Sequence, residues 1–488
     1  MAFSRKYATL AVYGLLPAVV LLAYVHTLGD PLVRDDYWLL GQVKDISFSH
    51  LWALFRAQVV YLRPLGMFTW WVEYRLAGMA SLPADIFDIV LDSVTVCLVF
   101  WFLRRLVKPL PAFFAALLLA VTPIGAETVT WSAARFDPMV LSFMLLALGL
   151  YYDFLMKGRR WAYWGSMAAV AAALMTKEPG VIVLGMIPVL ELIYGRGSGP
   201  FLDGIWQWAF AKRVLYRWLP LLVMFVFYML IRYVVFGGIG GAEPIFGEPL
   251  AKVTFYSALA FVFPVYQLNV DGHLLLLSLM LAVILGIVAA GAVLVLWKPG
   301  RTASRRAVIF LGIFLITTLL PIFHFIFIDG IRQDLVNSRY LFLPAFAFLS
   351  IVSIVVLDLR WRFRYAVYPG VALLSCVALL YFVALQKDEH PWEAADAESG
   401  QILTETRQMI IDPPPHAVFY YKDMPVMTGY RIFEHLTLQP AIRMEYNRND
   451  IRVYVAGDQV DQDVIRNAYI IEVDSSHNTL KVTPPATN

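Results

Sequence analysis

Cysteine is almost missing from this chain. Its 488 residues contain two, Cys97 and Cys376, each inside an apolar run. That excludes a disulfide framework and leaves the redox compartment unread. Charge is scarce too. Only 15% of residues are charged, 60% are hydrophobic, and the mean hydropathy is +0.67. No soluble domain has an interior large enough for that apolar share, so the composition requires a polytopic membrane protein. The net charge of +3 excludes the basic stripe by which proteins hold nucleic acid. No repeat of roughly 20–50 residues is visible, which excludes a solenoid.

What the chain has instead is apolar windows long enough to span a bilayer. They fall at Thr9–Leu28, Ala84–Leu103, Pro111–Thr130, Pro138–Met156, Ala162–Thr176, Gly180–Tyr194, Leu215–Val235, His273–Trp297, Ala307–Ile328, Tyr340–Leu357 and Tyr365–Gln386. The predicted fold is therefore an all-α polytopic membrane protein of about eleven helices. Arg5 and Lys6 before the first window imitate a signal peptide. No small-x-small cleavage site follows, so the window reads as a retained helix. Val253–Leu268 is apolar but holds Pro264 and reads as a helix lying in the interface.

Charge sorts the connections into two sets. Arg5-Lys6, Arg104-Arg105-Lys108, Lys157-Arg159-Arg160, Arg196, Lys212-Arg213-Arg217, Lys298-Arg301-Arg305-Arg306 and Arg360-Arg362-Arg364 lie in short basic loops. By the positive-inside rule these face the cytoplasm. Gly29–Pro83, Trp131–Asp137, Lys177-Glu178, Phe236–Gln267 and Asp329–Arg339 then face out. From Lys387 the composition turns polar, with strand-like runs such as "IRVYVAG" and "AYIIEV". Two units follow: a transmembrane core, 1–386, that includes outer loop 29–83, and a small extracytoplasmic α/β domain, 387–488.

The outer side carries unusual charges. "LVRDDYWLL" places Asp35 and Asp36 side by side just after the first helix, and "YLRPLGMFTWW" follows with Arg63 at a proline-defined helix start. Tyr61, Trp70 and Trp71 suit the membrane interface. In "PADIFDIVLDS", Asp85, Asp88 and Asp92 share one helical face. They suit either pairing with outer arginines or oxygen ligation of a divalent cation. Glu127, Arg135 and Asp137 bracket the turn in "AVTPIGAETVTWSAARFDPMV". Lys177 and Glu178 fill the turn in "LMTKEPGVIV", and Arg339 sits in "NSRYLFLP" where a helix enters the membrane. Arg34 and Arg332 complete the outer cations. Such cations either snorkel beside local ion pairs or hold an anion; lysine offers a phosphate a point charge and arginine a two-pronged donor.

Taken together, "DD", "YLRPLGMF", "AVTPIGAETVTWSAARFD", "MTKEPGV" and "SRYLFLP" resemble the membrane O-mannosyltransferases that carry tetratricopeptide repeats. More broadly they resemble the GT-C superfamily of polyprenyl-phosphate-sugar-dependent glycosyltransferases. The resemblance covers Thr9 to Pro344. Asp85, Asp88 and Asp92 stand where that family's second helix usually offers a His-Asn-His pattern, and the repeats are absent. "KDEHPWEAA" resembles bacterial GT-C chains that stop in a small periplasmic domain.

The resemblance implies inverting transfer of a sugar from a polyprenyl phosphate to an acceptor hydroxyl of a glycan, lipid or protein. It implies Asp35 as general base, with Asp36 close behind; repulsion between adjacent carboxylates raises the proton affinity of one. It points to Lys177, Arg339, Arg63 and Arg135 as donor-phosphate ligands, with Glu178, Glu127, Asp137, Asp85, Asp88 and Asp92 in support. No cofactor is obligatory, because the leaving group is already a phosphate; a divalent cation is compatible. A bacterial inner membrane is the implied location. The rival class, a transporter or flippase of a lipid-linked sugar, calls for polar residues through the bilayer midplane. Here the helix middles are mostly Leu, Val, Ala and Phe, and the charges cluster on one side.

The charge bias predicts the N-terminus inside and Asn488 outside. A reporter fused after Asn488 is expected to be active only outside the cytoplasm, and cytoplasmic activity would invert the topology.

Overall fold

A computed structural model describes residues 2–56, 61–195, 212–238, 258–264, 273–297, 302–329, 337–358, 367–427, 430–474 and 479–485. Arg196, Lys298, Arg301, Arg332, the loop holding Arg360, Arg362 and Arg364, and most of Val253–Leu268 lie outside the described residues. Within that segment, residues 258–262 are helical.

The helices are α1 (Ala2–Tyr24), α2 (Asp35–Val43), α3 (Pro64–Ala77), α4 (Leu82–Leu106), α5 (Pro109–Ala120), α6 (Ala126–Thr130), α7 (Phe136–Lys157) and α8 (Arg160–Leu174). They continue with α9 (Ile182–Tyr194), α10 (Lys212–Phe236), α11 (Leu274–Trp297), α12 (Thr302–Asp329), α13 (Phe342–Asp358) and α14 (Val367–Met409). Each apolar window read from the sequence is helical in its described part. Eight helices among the described residues are long and apolar enough to cross a membrane, and α5 with its continuation through α6, bent by 52°, makes a ninth. α8 and α9, of 15 and 13 residues, fall short of the roughly 20 residues that span a bilayer.

Local chemistry sets the helix starts. Pro64 and Pro109 each stand at the first helical position, where a missing N–H costs nothing. Gly158 ends α7 with φ +65°, a conformation that favours glycine, and turns the chain into α8. α7 lies against α8, α4 and α9, and α13 lies against α5 and α12, around a core of Leu, Val, Ala and Phe.

The C-terminal part is α/β, as its composition predicts. β1 (Val418–Lys422), β4 (Arg452–Val455) and β5 (Tyr469–Asp474) are parallel, and β6 (Thr479–Thr483) runs antiparallel to β5, in the order β4-β1-β5-β6. A two-stranded pair, β2 (Val426–Met427) and β3 (Tyr430–Arg431), stands beside it. Helix α15 (His435–Glu445) crosses from β3 towards β4, and α16 (Gln462–Arg466) precedes β5. The Glu434 N–H donates to Thr437 Oγ1 at 3.0 Å, half of a capping box that starts α15.

The boundary read at 386/387 falls inside a helix. α14 is 43 residues long, roughly 65 Å at 1.5 Å per residue, and runs unbroken out of the membrane into the lobe. The lobe also shares a hydrophobic core with the first outer loop: Val33, Tyr37 and Leu40 are buried with Trp392, Phe433 and Leu438.

The turn between α8 and α9 depends on one glycine. A Cβ on Gly180 would lie 2.3 Å from the carbonyl oxygen of Ala173, an immovable backbone atom. Gly180→Ala is expected to destabilise the fold by about 1–3 kcal/mol, as overpacking does. Thermal unfolding in detergent checks this; an unchanged Tm would show that the hairpin opens freely.

Candidate active site

Five of the candidate site residues read from the sequence meet around one cavity of about 120 Å³. Asp35, Arg63, Asp137, Lys177 and Arg339 line it, together with Trp38, Leu39, Tyr61, Trp131, Phe136 and Tyr340. Each arrives from a different element. Asp35 opens α2, Arg63 precedes Pro64 of α3, Asp137 is in the first turn of α7, Lys177 joins α8 to the turn before α9, and Arg339 precedes α13.

Every cation here is held by a carboxylate from another part of the chain. Arg63 donates from Nε and Nη2 to Glu178 Oε2 at 3.1 and 2.7 Å. Lys177 Nζ donates to Asp137 Oδ2. Arg339 Nη1 donates to Glu127 Oε1, while the Arg339 backbone N–H donates to Glu127 Oε2 at 2.9 Å. Asn337, left-handed at φ +70°, turns its own N–H toward the same carboxylate at 3.3 Å. Lys177 and Glu178 are adjacent in sequence but bind different partners, Asp137 of α7 and Arg63 before α3. Burial opposes ionisation of Glu178, yet the Arg63 guanidinium prevails and holds its carboxyl below the usual value.

Aromatic rings keep the guanidinium groups in place. Arg63 lies 4.2 Å from the Tyr61 ring centroid, and Arg339 lies 4.5 Å from Trp131. Trp131 in turn stacks on Trp392 of α14, centroids 5.4 Å apart. The cavity wall carries three cations against two carboxylates, Asp35 and Asp137. A guanidinium has five N–H donors, so pairing with one carboxylate leaves capacity for a phosphate.

The aspartate pair splits. Asp35, Trp38 and Leu39 stand at i, i+3 and i+4, one stripe of α2, and face the cavity. Asp36 points inward, 2% exposed, and accepts the Val33 N–H at 3.0 Å. Burial pushes its carboxyl up to about 7; the Val33 N–H and Arg135 pull the other way. Arg34, just before the pair, has φ +53°, a strained conformation for a side-chain-bearing residue.

Arg135 is not brought to the cavity. It is 0% exposed, with its Nη1 on Glu73, its Nη2 on Asp88 Oδ2 at 2.9 Å, and its guanidinium 4.3 Å from the Trp70 ring centroid. Charge and donors are consumed there, which makes it a buried structural cation. Trp70, read as an interface residue, is buried beneath it at 1% exposure. The acidic face of α4 is divided as well. Asp88 accepts Arg135 and the Ser132 hydroxyl, Asp85 accepts the Gly29 N–H at 2.8 Å, and Asp92 is buried. Among the described residues no group of three or more His, Cys, Asp or Glu can hold a metal ion.

Sequence reasoning missed Arg232. It lies in the last turns of α10, 7% exposed, with Nη1 3.9 Å from Glu178 Oε1, so it adds a fourth cation behind the cavity. Its signal was available: an arginine inside the apolar window Leu215–Val235 is costly unless it serves a site. Tyr340, also missed, lines the cavity beside Arg339, and Arg339 Nη2 donates to its hydroxyl at 3.3 Å.

These features define a class: a polytopic membrane protein with a small C-terminal α/β lobe and a cavity lined by three cations and two aspartates. The comparisons agree on the fold. Residues 63–194 match the family described as dolichyl-phosphate-mannose-protein mannosyltransferase. The structure is similar to that of ArnT from Cupriavidus metallidurans in the apo state, with 16% identity, a TM-score of 0.52, and coverage of 96% of this chain and 94% of that one. It is also similar to the same protein bound to undecaprenyl phosphate, with 14% identity, a TM-score of 0.50, and coverage of 95% and 93%. No curated protein matches the chain in sequence.

Asp36 generates a pH prediction. Its raised folded value means that its contribution to stability is fully present below about 4 and is lost as pH rises through about 7. Asp36→Asn removes the ionisation. The Tm of the wild type is expected to fall relative to that variant between about pH 4 and pH 7. A Tm difference independent of pH would mean that Asp36 ionises freely.

Proposed function

We propose that the protein is a glycosyltransferase that takes a sugar from a polyprenyl-phosphate donor and passes it to an acceptor hydroxyl on the extracytoplasmic face, with inversion and with Asp35 as general base. One observation carries this reading. Of the two carboxylates that line the cavity with Arg63, Lys177 and Arg339, Asp137 accepts Lys177 Nζ, which leaves Asp35 as the base. The similar ArnT structure with undecaprenyl phosphate bound supports a lipid-phosphate donor.

In the proposed reaction the acceptor oxygen attacks the anomeric carbon. The bond from that carbon to the phosphate oxygen breaks, and its electron pair leaves with the lipid phosphate. The acceptor proton passes to the Asp35 carboxylate. Lys177, Arg339 and Arg63 stabilise the charge that builds on the leaving phosphate, which is where preorganised donors lower a barrier most. Their carboxylate partners hold them in place before the donor arrives. Tyr61, Trp38 and Tyr340 offer the aromatic and hydroxyl surface against which a sugar ring can be oriented.

Asp35→Asn keeps the side-chain size and removes the base. Transfer is expected to fall on the order of 100- to 10,000-fold while donor binding and Tm survive. Lys177→Ala and Arg339→Ala are expected to weaken donor binding by about 1.5–3 kcal/mol each, the worth of a hydrogen bond to a charged group. They also lower Tm, because Asp137 and Glu127 each lose a partner. Transfer rate, donor affinity and Tm are measured on the same purified variants with a synthetic lipid donor. Near-wild-type transfer in Asp35→Asn removes it as the base; unchanged donor affinity in both cation variants moves the phosphate site elsewhere.

A further inference from the structure

The two halves of the cavity are carried differently. The cations stand at the ends or turns of helices packed in the membrane core. Asp35 stands on α2, nine residues long, too short to be stable by itself. What α2 packs against therefore decides where Asp35 sits. α3 supports it on one side. The face turned away from the cavity is covered by the C-terminal lobe.

That cover is close. Tyr37 and Gly41, at i and i+4, lie on the far side of α2 from Asp35. The Tyr37 ring meets Phe433 with centroids 5.7 Å apart. Gly41 lies under α15, where an added Cβ would sit 2.8 Å from Cβ of Pro440. The chain leading into α2 is held from α14. The Ser399 hydroxyl, fully buried, donates to the Leu32 carbonyl at 2.8 Å. Gly400 allows an approach so close that its Cβ would lie 2.7 Å from Cγ of Pro31. Between these contacts Arg34 takes its strained φ and swings Asp35 toward the cations.

We propose that Phe433, Pro440 and Ser399 are positioning residues: the C-terminal lobe is a clamp that sets the distance from Asp35 to the phosphate-binding cations. This rests on the reading of Asp35 as the base. Phe433, Pro440 and Ser399 meet α2 and the chain leading into it, so through these contacts the lobe governs the chemical step and leaves donor binding alone. The lobe thereby acts on catalysis without supplying a reacting group, and any acceptor that shifts α15 moves the base.

The test is a size swap. Gly41→Ala pushes α2 away from α15. It is expected to lower kcat roughly 10- to 100-fold, because misplacing a reacting group by about 1 Å has that effect. KM and Kd for a synthetic polyprenyl-phosphate sugar are expected to stay within about twofold. Adding Pro440→Gly removes the opposing Cβ and is expected to restore most of kcat; glycine suits a helix interior better than proline. Tm is measured on both variants, and a rescue of kcat that only follows a rise in Tm overturns the clamp. Wild-type kcat in folded Gly41→Ala, a loss carried by KM, or no rescue in the double variant each overturns the clamp. Where Gly41→Ala does not fold, Ser399→Ala decides: a kcat loss of roughly fivefold or more at constant KM supports the clamp, and wild-type kcat overturns it. Asp35→Asn is assayed alongside. If it transfers at the wild-type rate, the base assignment has failed, and that failure is distinct from a clamp failure, in which Asp35→Asn is dead and the clamp variants are fully active.

Discussion

A charge taken out of water needs a partner, and the cavity end of this protein is organised by that constraint. Lys177 and Arg339 lie at the ends of helices that would otherwise expose a cation to hydrocarbon or bury it alone. Asp137 and Glu127 prevent both. Removing one member of such a pair typically costs about 3–5 kcal/mol, far more than a surface ion pair contributes. Each pair also joins separate helices, so electrostatics sets the relative positions of α7, the α8–α9 turn and the start of α13.

Arg135 obeys the same constraint to a different end. Glu73 and Asp88 surround it, Trp70 covers it, and no face is left for a ligand. Beside it, the cavity cations keep one side open. What separates Arg135 from the cavity cations is therefore what their partners leave uncovered. Burial alone does not decide it: Lys177 is 6% exposed and still lines the cavity.

The membrane core and the C-terminal lobe meet at α2. α14 ties them covalently, leaving the bilayer as a helix and entering the lobe as the same helix. Trp392 on that helix stacks on Trp131, which in turn faces Arg339. The lobe is thus in mechanical contact with both the cation side and the aspartate side of the cavity. A polar composition after Lys387 reads as a separable domain, but the shared core with residues of the first outer loop makes it part of the site's frame.

The sequence by itself determined the class. Hydropathy is local and additive along the chain, so each apolar window could be placed before any packing was known. Motifs read along the chain singled out Asp35, Lys177 and Arg339. Tertiary structure decided who meets whom. Arg63 pairs with Glu178 across 115 positions and Arg339 with Glu127 across 212, and no local pattern encodes those distances. It also decided that Asp35 faces the cavity while Asp36 turns into the protein. In a short helix those two side chains differ by about 100° in direction, and only the surfaces of α3 and α15 choose the rotation. Arg232 joined the site the same way: its charge was visible in the sequence, but its partner, Glu178, lies on another helix turn.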